Sequence, residues 1–257
     1  MLSASGDSNG PVTKGLGTLF LLPVCLGSES LEASLPREVL ERTRLLSSFI
    51  AEEPKSTRAW LKRCEHPQPM QSIEIQTYNE HSKESDIPAL LGPLRKGIDV
   101  GLVSEAGVPC VADPGSRIVA FAHREGILVV PLVGPSSLLL ALMASGLVGQ
   151  SFEMIGYLPV DDTTRARALK ALEEEARERE QTKIFIETPY RSQKMLDALL
   201  SHLQPGTSLC IARSLLQETQ LVKTATVAEW RLGAPELGKE PCVFLIGHSV
   251  GKGAKGR

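Results

Sequence analysis

Aromatic residues are scarce in this chain: six Phe, three Tyr and two Trp make up 4% of its 257 residues. The core is therefore expected to be mostly aliphatic. An excess of charge of one sign is also missing, since 28 Lys and Arg stand against 30 Asp and Glu for a formal net charge of -2. That balance gives no reason to expect strong unselective nucleic-acid binding and leaves room only for a local basic groove. Five cysteines (Cys25, Cys64, Cys110, Cys210, Cys242) form no CxxC pair and no cysteine–histidine cluster. Reduced thiols in a cytosolic protein are the expectation, with Cys25 and Cys110 buried, and no metal site is expected. The histidines His66, His81, His123, His202 and His248 show no HExxH spacing, and His123, in an apolar helical stretch, reads as structural. The apolar run Leu19 to Leu26 is interrupted by Pro23 and is too short for a bilayer, so no membrane partner is expected. A dinucleotide fingerprint, a GxxxxGK[ST] phosphate loop and a G-x-S-x-G elbow are absent too.

What is there is an alternation of apolar strands and helical stretches, with 42% hydrophobic and 23% charged residues. Strands are expected at 17–22, 49–51, 74–77, 100–103 and 127–133, with helices at 36–47, around Trp60 and Leu61, at 87–94 and at 116–125. Further on, helices are expected at 138–144, 164–180 and 192–203, and strands at 152–158, 183–186, 209–212, 220–226 and 242–247. The charge run in 164–180 reads as a solvated helix face. This order predicts an α/β fold with mostly parallel pairing. The division expected is a tail at 1–14, an N-terminal α/β domain at 15–133, a C-terminal α/β domain at 134–250 and a second tail at 251–257, both tails disordered.

The stretch GLVSEAGVPCVADPG, Gly101 to Gly115, is the centre of the chain. A buried-type strand breaks at Ser104 into a loop carrying Gly107, Pro109, Asp113, Pro114 and Gly115. Such a constrained loop at the carboxyl end of a strand is where open α/β sheets bind ligands, and it is equally a tight strand-to-helix connection. Asp113 reads as a turn residue. Gly134-Pro135-Ser136-Ser137 follows another strand and opens a helix, so its serines serve either as N-caps or as a polar-ligand site. Together with Pro23 and the Ile155-Gly156-Tyr157 strand, these loops suit a nucleoside-like ligand held by main chain and apolar contacts.

SEAGVPCVADPGSRIV, VPLVGPSSLLLALMASGL and FEMIGYLP resemble the tetrapyrrole methylase superfamily, the class III S-adenosylmethionine (SAM) methyltransferases. The branch that 2′-O-methylates ribosomal small-subunit RNA matches best, through GTLFLL, Tyr78-Asn79-Glu80-His81, Ser104 to Pro109, Val133 to Ser137 and Glu187 to Arg191. Departures from that pattern fall at Leu22 to Leu26, at Ala51-Glu52-Glu53-Pro54 with Thr57-Arg58 displaced, and at Arg213 to Gln217, where only the arginine is kept. The donor-side loops are thus closer to the family than the acceptor-side ones.

The resemblance implies two α/β domains with SAM in the cleft between them, in a cytoplasmic homodimer. It places Pro23, Ser104, Glu105, Ala106, Val108, Ser136, Ser137, Ile155 and Tyr157 around the cofactor, with Glu105 where the family usually has aspartate. Glu105 either reaches a hydroxyl or ammonium group or supports the turn. On the acceptor side the candidates are Glu80, Glu187, Arg191 and Arg213, each of which reads equally as a member of a structural ion pair. The implied function is methyl transfer to RNA, at a ribose 2′-hydroxyl of the small ribosomal subunit. Methylation of a small or tetrapyrrole-like acceptor, and SAM or RNA binding with little catalysis, are the alternatives.

Overall fold

The computed structural model describes residues 15–27 and 30–247. The expected tails at 1–14 and 251–257 lie outside that range. The chain divides into two compact units, Met1–Pro135 and Ser136–Arg257.

The first unit is a parallel sheet wrapped by helices. β1 (Thr18–Leu22) leads to α1 (Arg37–Leu45), β2 (Ser48–Ala51), α2 (Pro54–Arg63) and β3 (Glu74–Thr77). Two single-turn helices, α3 (Ile87–Leu90) and α4 (Gly92–Arg95), stand where one helical stretch was expected, because Pro93 ends the first. Then come β4 (Val100–Val103), α5 (Ser116–Arg124) and β5 (Leu128–Pro131). The strand order is β3-β2-β4-β1-β5 with every pairing parallel.

Side-chain alternation explains why the central strands read as unbroken apolar runs. Phe20, Leu22, Phe49, Ala51 and Val103 pack with Val39, Leu40, Trp60 and Leu61 of α1 and α2. Leu19, Ile50, Val100 and Leu102 belong to a second cluster with Ile87, Leu94, Ile118 and Ala122. Both faces are covered, as parallel sheets require. Gly101 is obligatory in this layer: a Cβ there would meet Leu22 Cδ1 at 2.5 Å and Phe49 Cδ1 at 2.9 Å.

The second unit departs from the expected parallel pairing. α6 (Ser137–Ser145) precedes β6 (Phe152–Tyr157), α7 (Asp162–Glu178), β7 (Thr182–Glu187), α8 (Ser192–His202), β8 (Ser208–Arg213), β9 (Leu221–Thr226), α9 (Val227–Gly233) and β10 (Cys242–Gly247). The order is β6-β7-β10-β8-β9, and only β6 and β7 run parallel. The reason is connection length. β8 and β9 are joined by a short link with no helix, which permits only antiparallel neighbours. β10, the last of the described strands, inserts between β7 and β8 and opposes both. α9 was not expected; a capping box between Thr226 and Glu229 starts it.

Leu138, Ala141 and Leu142 of α6 pack with Ile184, Cys210, Val243 and Leu245. Leu169, Leu172, Met195, Leu199 and Trp230 of α7, α8 and α9 pack with Phe185, Ile211 and Phe244. Most of the charged face of α7 is solvated as expected, but Arg165 is buried, donating to the Val160 carbonyl and paired with Asp162, and a second charge is used in the sheet. Lys183 of β7 is fully buried and ion-paired with Glu153 and with Glu175 of α7, the latter at 2.8 Å. His123 is exposed on the outer face of α5, so it has no core role. Cys25 is buried but Cys110 only half-buried, which corrects the expectation for that thiol. Among the described residues no helix is long and apolar enough to cross a membrane.

Candidate functional site

In the first unit three segments chosen from the sequence meet at the carboxyl ends of β4, β1 and β5, which lie side by side. Val24, just after Pro23, donates its N–H to the Gly107 carbonyl at 2.9 Å and forms an isolated bridge with it. Gly107 has φ +72°, and a Cβ on it would sit 3.0 Å from the Pro135 carbonyl oxygen. Gly134 passes so near Pro23 that an added Cβ would lie 2.1 Å from the proline Cβ. These glycines are there because backbone approaches backbone or ring where no side chain fits.

The loop after β4 is held from both sides. Ser104 is buried, and its Oγ lies 3.3 Å from the Ala106 carbonyl and 3.4 Å from that of Gly107. Glu105 and Ala106 are exposed, Val108 is half-buried and Pro109 buried. Glu105 accepts a 2.6 Å hydrogen bond from Ser56 Oγ of α2, while its own N–H donates to the Glu52 carboxylate. Of its two possible roles, supporting the turn is the one these contacts supply. Asp113 closes the far end, accepting from Cys110 N–H at 2.8 Å and Gly115 N–H at 2.7 Å. That is a turn residue's work.

Glu52 is a participant the sequence reasoning noted only as a departure. It lines a small cavity with Tyr78, Leu102, Val103, Pro109, Asp113 and Gly115. Burial raises its pKa above the usual carboxylate range, and the negative charges of Asp113, Glu105 and Glu80 add to this, against the Glu105 N–H. Burial likewise raises Asp113, against its two N–H donors. Burial first and Asp113 second push the Cys110 thiol up to about 12, so it is not a thiolate near neutrality. The signal available in the sequence was the acidic pair Glu52-Glu53 directly after a buried strand. Glu80 is 84% exposed and lies 3.6 Å from His81.

In the second unit Ser136 is an N-cap, its Oγ accepting from Leu139 N–H at 3.5 Å, and Ser137 begins α6 half-buried. Gly156, φ +78°, lies at a register shift in β6 after Met154, so the strand bulges at Ile155. Ile155 packs against the core and Tyr157 is exposed. Three of the four acceptor-side candidates converge. Cys242 of β10 is paired with Glu187 of β7 on one side and Arg213 of β8 on the other, so all three share one end of the sheet. The Glu187 side chain is 1% exposed and its Oε2 lies 2.7 Å from Arg191 Nη2, whose side chain is 30% exposed. Arg213 donates from Nη1 to the Glu236 carbonyl at 2.9 Å and from Nη2 toward that of Thr219 at 3.5 Å. Glu80, the fourth candidate, belongs to the first unit.

Residues 34–230 match the family model of the Tetrapyrrole (Corrin/Porphyrin) Methylases. The chain belongs to this family. Pro23 lies ahead of the matched span. A ribosomal RNA small subunit methyltransferase I of Micromonospora olivasterospora is 36% identical over 210 residues, 80% of this chain and 62% of that protein. Its namesake in Halalkalibacterium halodurans is 34% identical over 236 residues, 90% of this chain and 76% of that one. That of Escherichia coli O157:H7 is 30% identical over 213 residues, 83% and 70% of the two chains. The chain thus spans 62%, 76% and 70% of the lengths of these three relatives. Among solved structures, the methyltransferase CobJ superposes with TM-score 0.61 at 20% identity, covering 91% of this chain and 95% of that one. A uroporphyrin-III-C-methyltransferase of Thermus thermophilus gives 0.52 at 19%, covering 91% and 94%. At these identities the likeness is one of tetrapyrrole methylase fold.

Proposed function

We propose that the chain is a SAM-dependent methyltransferase that acts on RNA, at a ribose 2′-hydroxyl of the small ribosomal subunit. The observation that carries this reading is the meeting of Pro23, the Ser104–Pro109 loop and Gly134-Pro135 at adjacent strand ends, in a chain of this family. The donor set suits a nucleoside with a short polar tail. Pro23 and Pro109 are apolar, and Glu105 and Ala106 beside them are exposed. The residues assigned to SAM are Pro23, Ser104, Glu105, Ala106 and Val108 of the first unit, with Ser136, Ser137, Ile155 and Tyr157 of the second.

When bound, SAM supplies a methyl group already activated on a sulfonium, so the chain needs no nucleophile of its own. Its residues bind and align. Arg191, held by buried Glu187, is a fixed cation suited to favour the alkoxide form of an attacking hydroxyl. Arg213 anchors chain around the same end of the sheet. The RNA acceptor rests on the names of the relatives, and the reading takes the protein to be a cytoplasmic homodimer.

The test is calorimetric titration with SAM, using a Ser136/Ser137 double variant with bulky residues as control, followed by transfer of labelled methyl to small ribosomal subunits. SAM binding that the double variant loses, with label entering RNA, is the expected result. No SAM binding by the unaltered protein removes the methyltransferase reading. Binding with transfer only to a small acceptor removes RNA alone.

A further inference from the structure

One aromatic ring at the charged end of the second sheet has no place in the core. Tyr190, between β7 and α8, is 80% exposed. Its ring carries the Lys239 ammonium 5.3 Å from its centroid, a cation–π distance. Its chain neighbour Arg191 is fixed by Glu187. Lys239 rides on a segment that is tied down along its length. The Glu236 carbonyl accepts from Arg213 at 2.9 Å, and Leu237 N–H donates to Gln193 Oε1 of α8 at 2.9 Å. The Glu240 carboxylate takes Ser214 Oγ at 3.0 Å, and the Pro241 carbonyl accepts Ser214 N–H at 3.1 Å. Four ties, from Arg213 of β8, Gln193 of α8 and Ser214 just beyond β8, thus present one lysine beside one solvent-facing ring. The acid next to that lysine is turned toward Ser214.

We infer that Tyr190 and Lys239 form a stacking platform for an unpaired base of the RNA substrate, with Lys239 meeting a flanking phosphate. An exposed, rigidly flanked aromatic beside cations is the arrangement single-stranded nucleic acid uses, because every base has a π-face and every linkage a charge. The net charge of -2 does not oppose this, since the cations are local. Arg213 then acts as a positioning residue: its Nη1 donates to the Glu236 carbonyl and holds the segment that bears Lys239. The inference rests on the RNA reading above and deepens it.

The test measures binding of the full-length protein to small ribosomal subunits and to a mixed-sequence single-stranded RNA of about ten nucleotides, with SAM affinity measured in parallel. Tyr190→Ala is expected to weaken RNA binding by roughly 5- to 150-fold, from the usual worth of one base–aromatic stack. Tyr190→Trp and Tyr190→Phe are expected to retain it. Lys239→Ala is expected to lower the salt slope by about 1. SAM affinity is expected to stay unchanged in all four. RNA affinity that Tyr190→Ala leaves intact overturns the platform while the RNA reading stands. A lower assembly mass in Tyr190→Ala with RNA affinity intact assigns the ring to contact with a second copy and also overturns it. If the unaltered protein binds SAM but no RNA, the RNA reading fails and the platform with it.

Discussion

The ends of the two sheets are built by opposite means. At the carboxyl end of the first, chain approaches chain: Gly107 bridges Val24, and Gly134 lies against Pro23 with no room for a methyl group. Its carboxylates, Glu52 and Asp113, are held by backbone N–H donors. At the matching end of β7 and β8 the buried Glu187 carboxylate faces an arginine, and a second arginine ties down loops. A main-chain cradle tolerates no added volume. A paired-charge end tolerates no unmatched removal.

Volume at the first site gives the largest expected effect. Gly134→Val is expected to destabilise by about 3 kcal/mol, the upper end of overpacking costs, and to abolish SAM binding, because the Pro23 ring must move. Gly206→Ala, which meets nothing within 4 Å, is the control and is expected to change stability by under about 0.5 kcal/mol. Denaturant midpoints and calorimetry read both. Equal midpoints for the two variants break the view that the first site is governed by close approach.

Charge at the second site comes next. Arg191→Ala leaves a carboxylate that is 1% exposed without its cation, and is expected to cost about 3 kcal/mol. Glu187→Gln leaves a guanidinium that is 30% exposed and can turn to water, so about 1 kcal/mol is expected. Thermal unfolding of the two variants and the double variant gives the coupling. The reverse order would place the burden on the arginine.

A carboxylate without a matching cation behaves differently with pH. The folded pKa of Glu52 is raised by burial, then by Asp113, so the folded state holds a proton that the unfolded state has released. In the window between the usual carboxylate range and that raised value, stability falls as pH rises. Glu52→Gln is therefore expected to raise the unfolding midpoint at pH 7 and to match the parent once pH drops below the window. A midpoint difference independent of pH would mean that packing, not ionisation, sets the effect.

Ser56→Ala is expected to have the smallest effect. Its hydroxyl gives Glu105 one partly exposed hydrogen bond, worth about 0.5 kcal/mol. A SAM affinity that falls while the unfolding midpoint barely moves would sharpen the comparison, since it would make α2 a support for the loop and not for the fold.

Much of this was legible in the chain. The apolar runs of β1, β2 and β4 read as strands because both their faces are buried. Gly107, Pro109 and Gly134 marked the loops because turn geometry restricts residue type at single positions. α9 was missed although Thr226-Val227-Ala228-Glu229 carries its capping box, because seven residues hold too little periodicity. Glu52 was missed because its pKa is raised first by burial and then by Asp113, and both depend on chain that lies far away in sequence. His123 was misplaced because an apolar helix also has an outer face.

By itself the sequence determined the alternation of strands and helices, the positions where the backbone must bend, and the aliphatic character of both cores. These follow from local sterics and from periods of two or 3.6 residues. Only the tertiary structure decided that β10 separates β7 from β8, that Glu187, Cys242 and Arg213 share one sheet end, and that Ser56 and Glu52 grip the Ser104 loop. Strand pairing and burial are set by partners far apart in the chain, and no local pattern carries that choice.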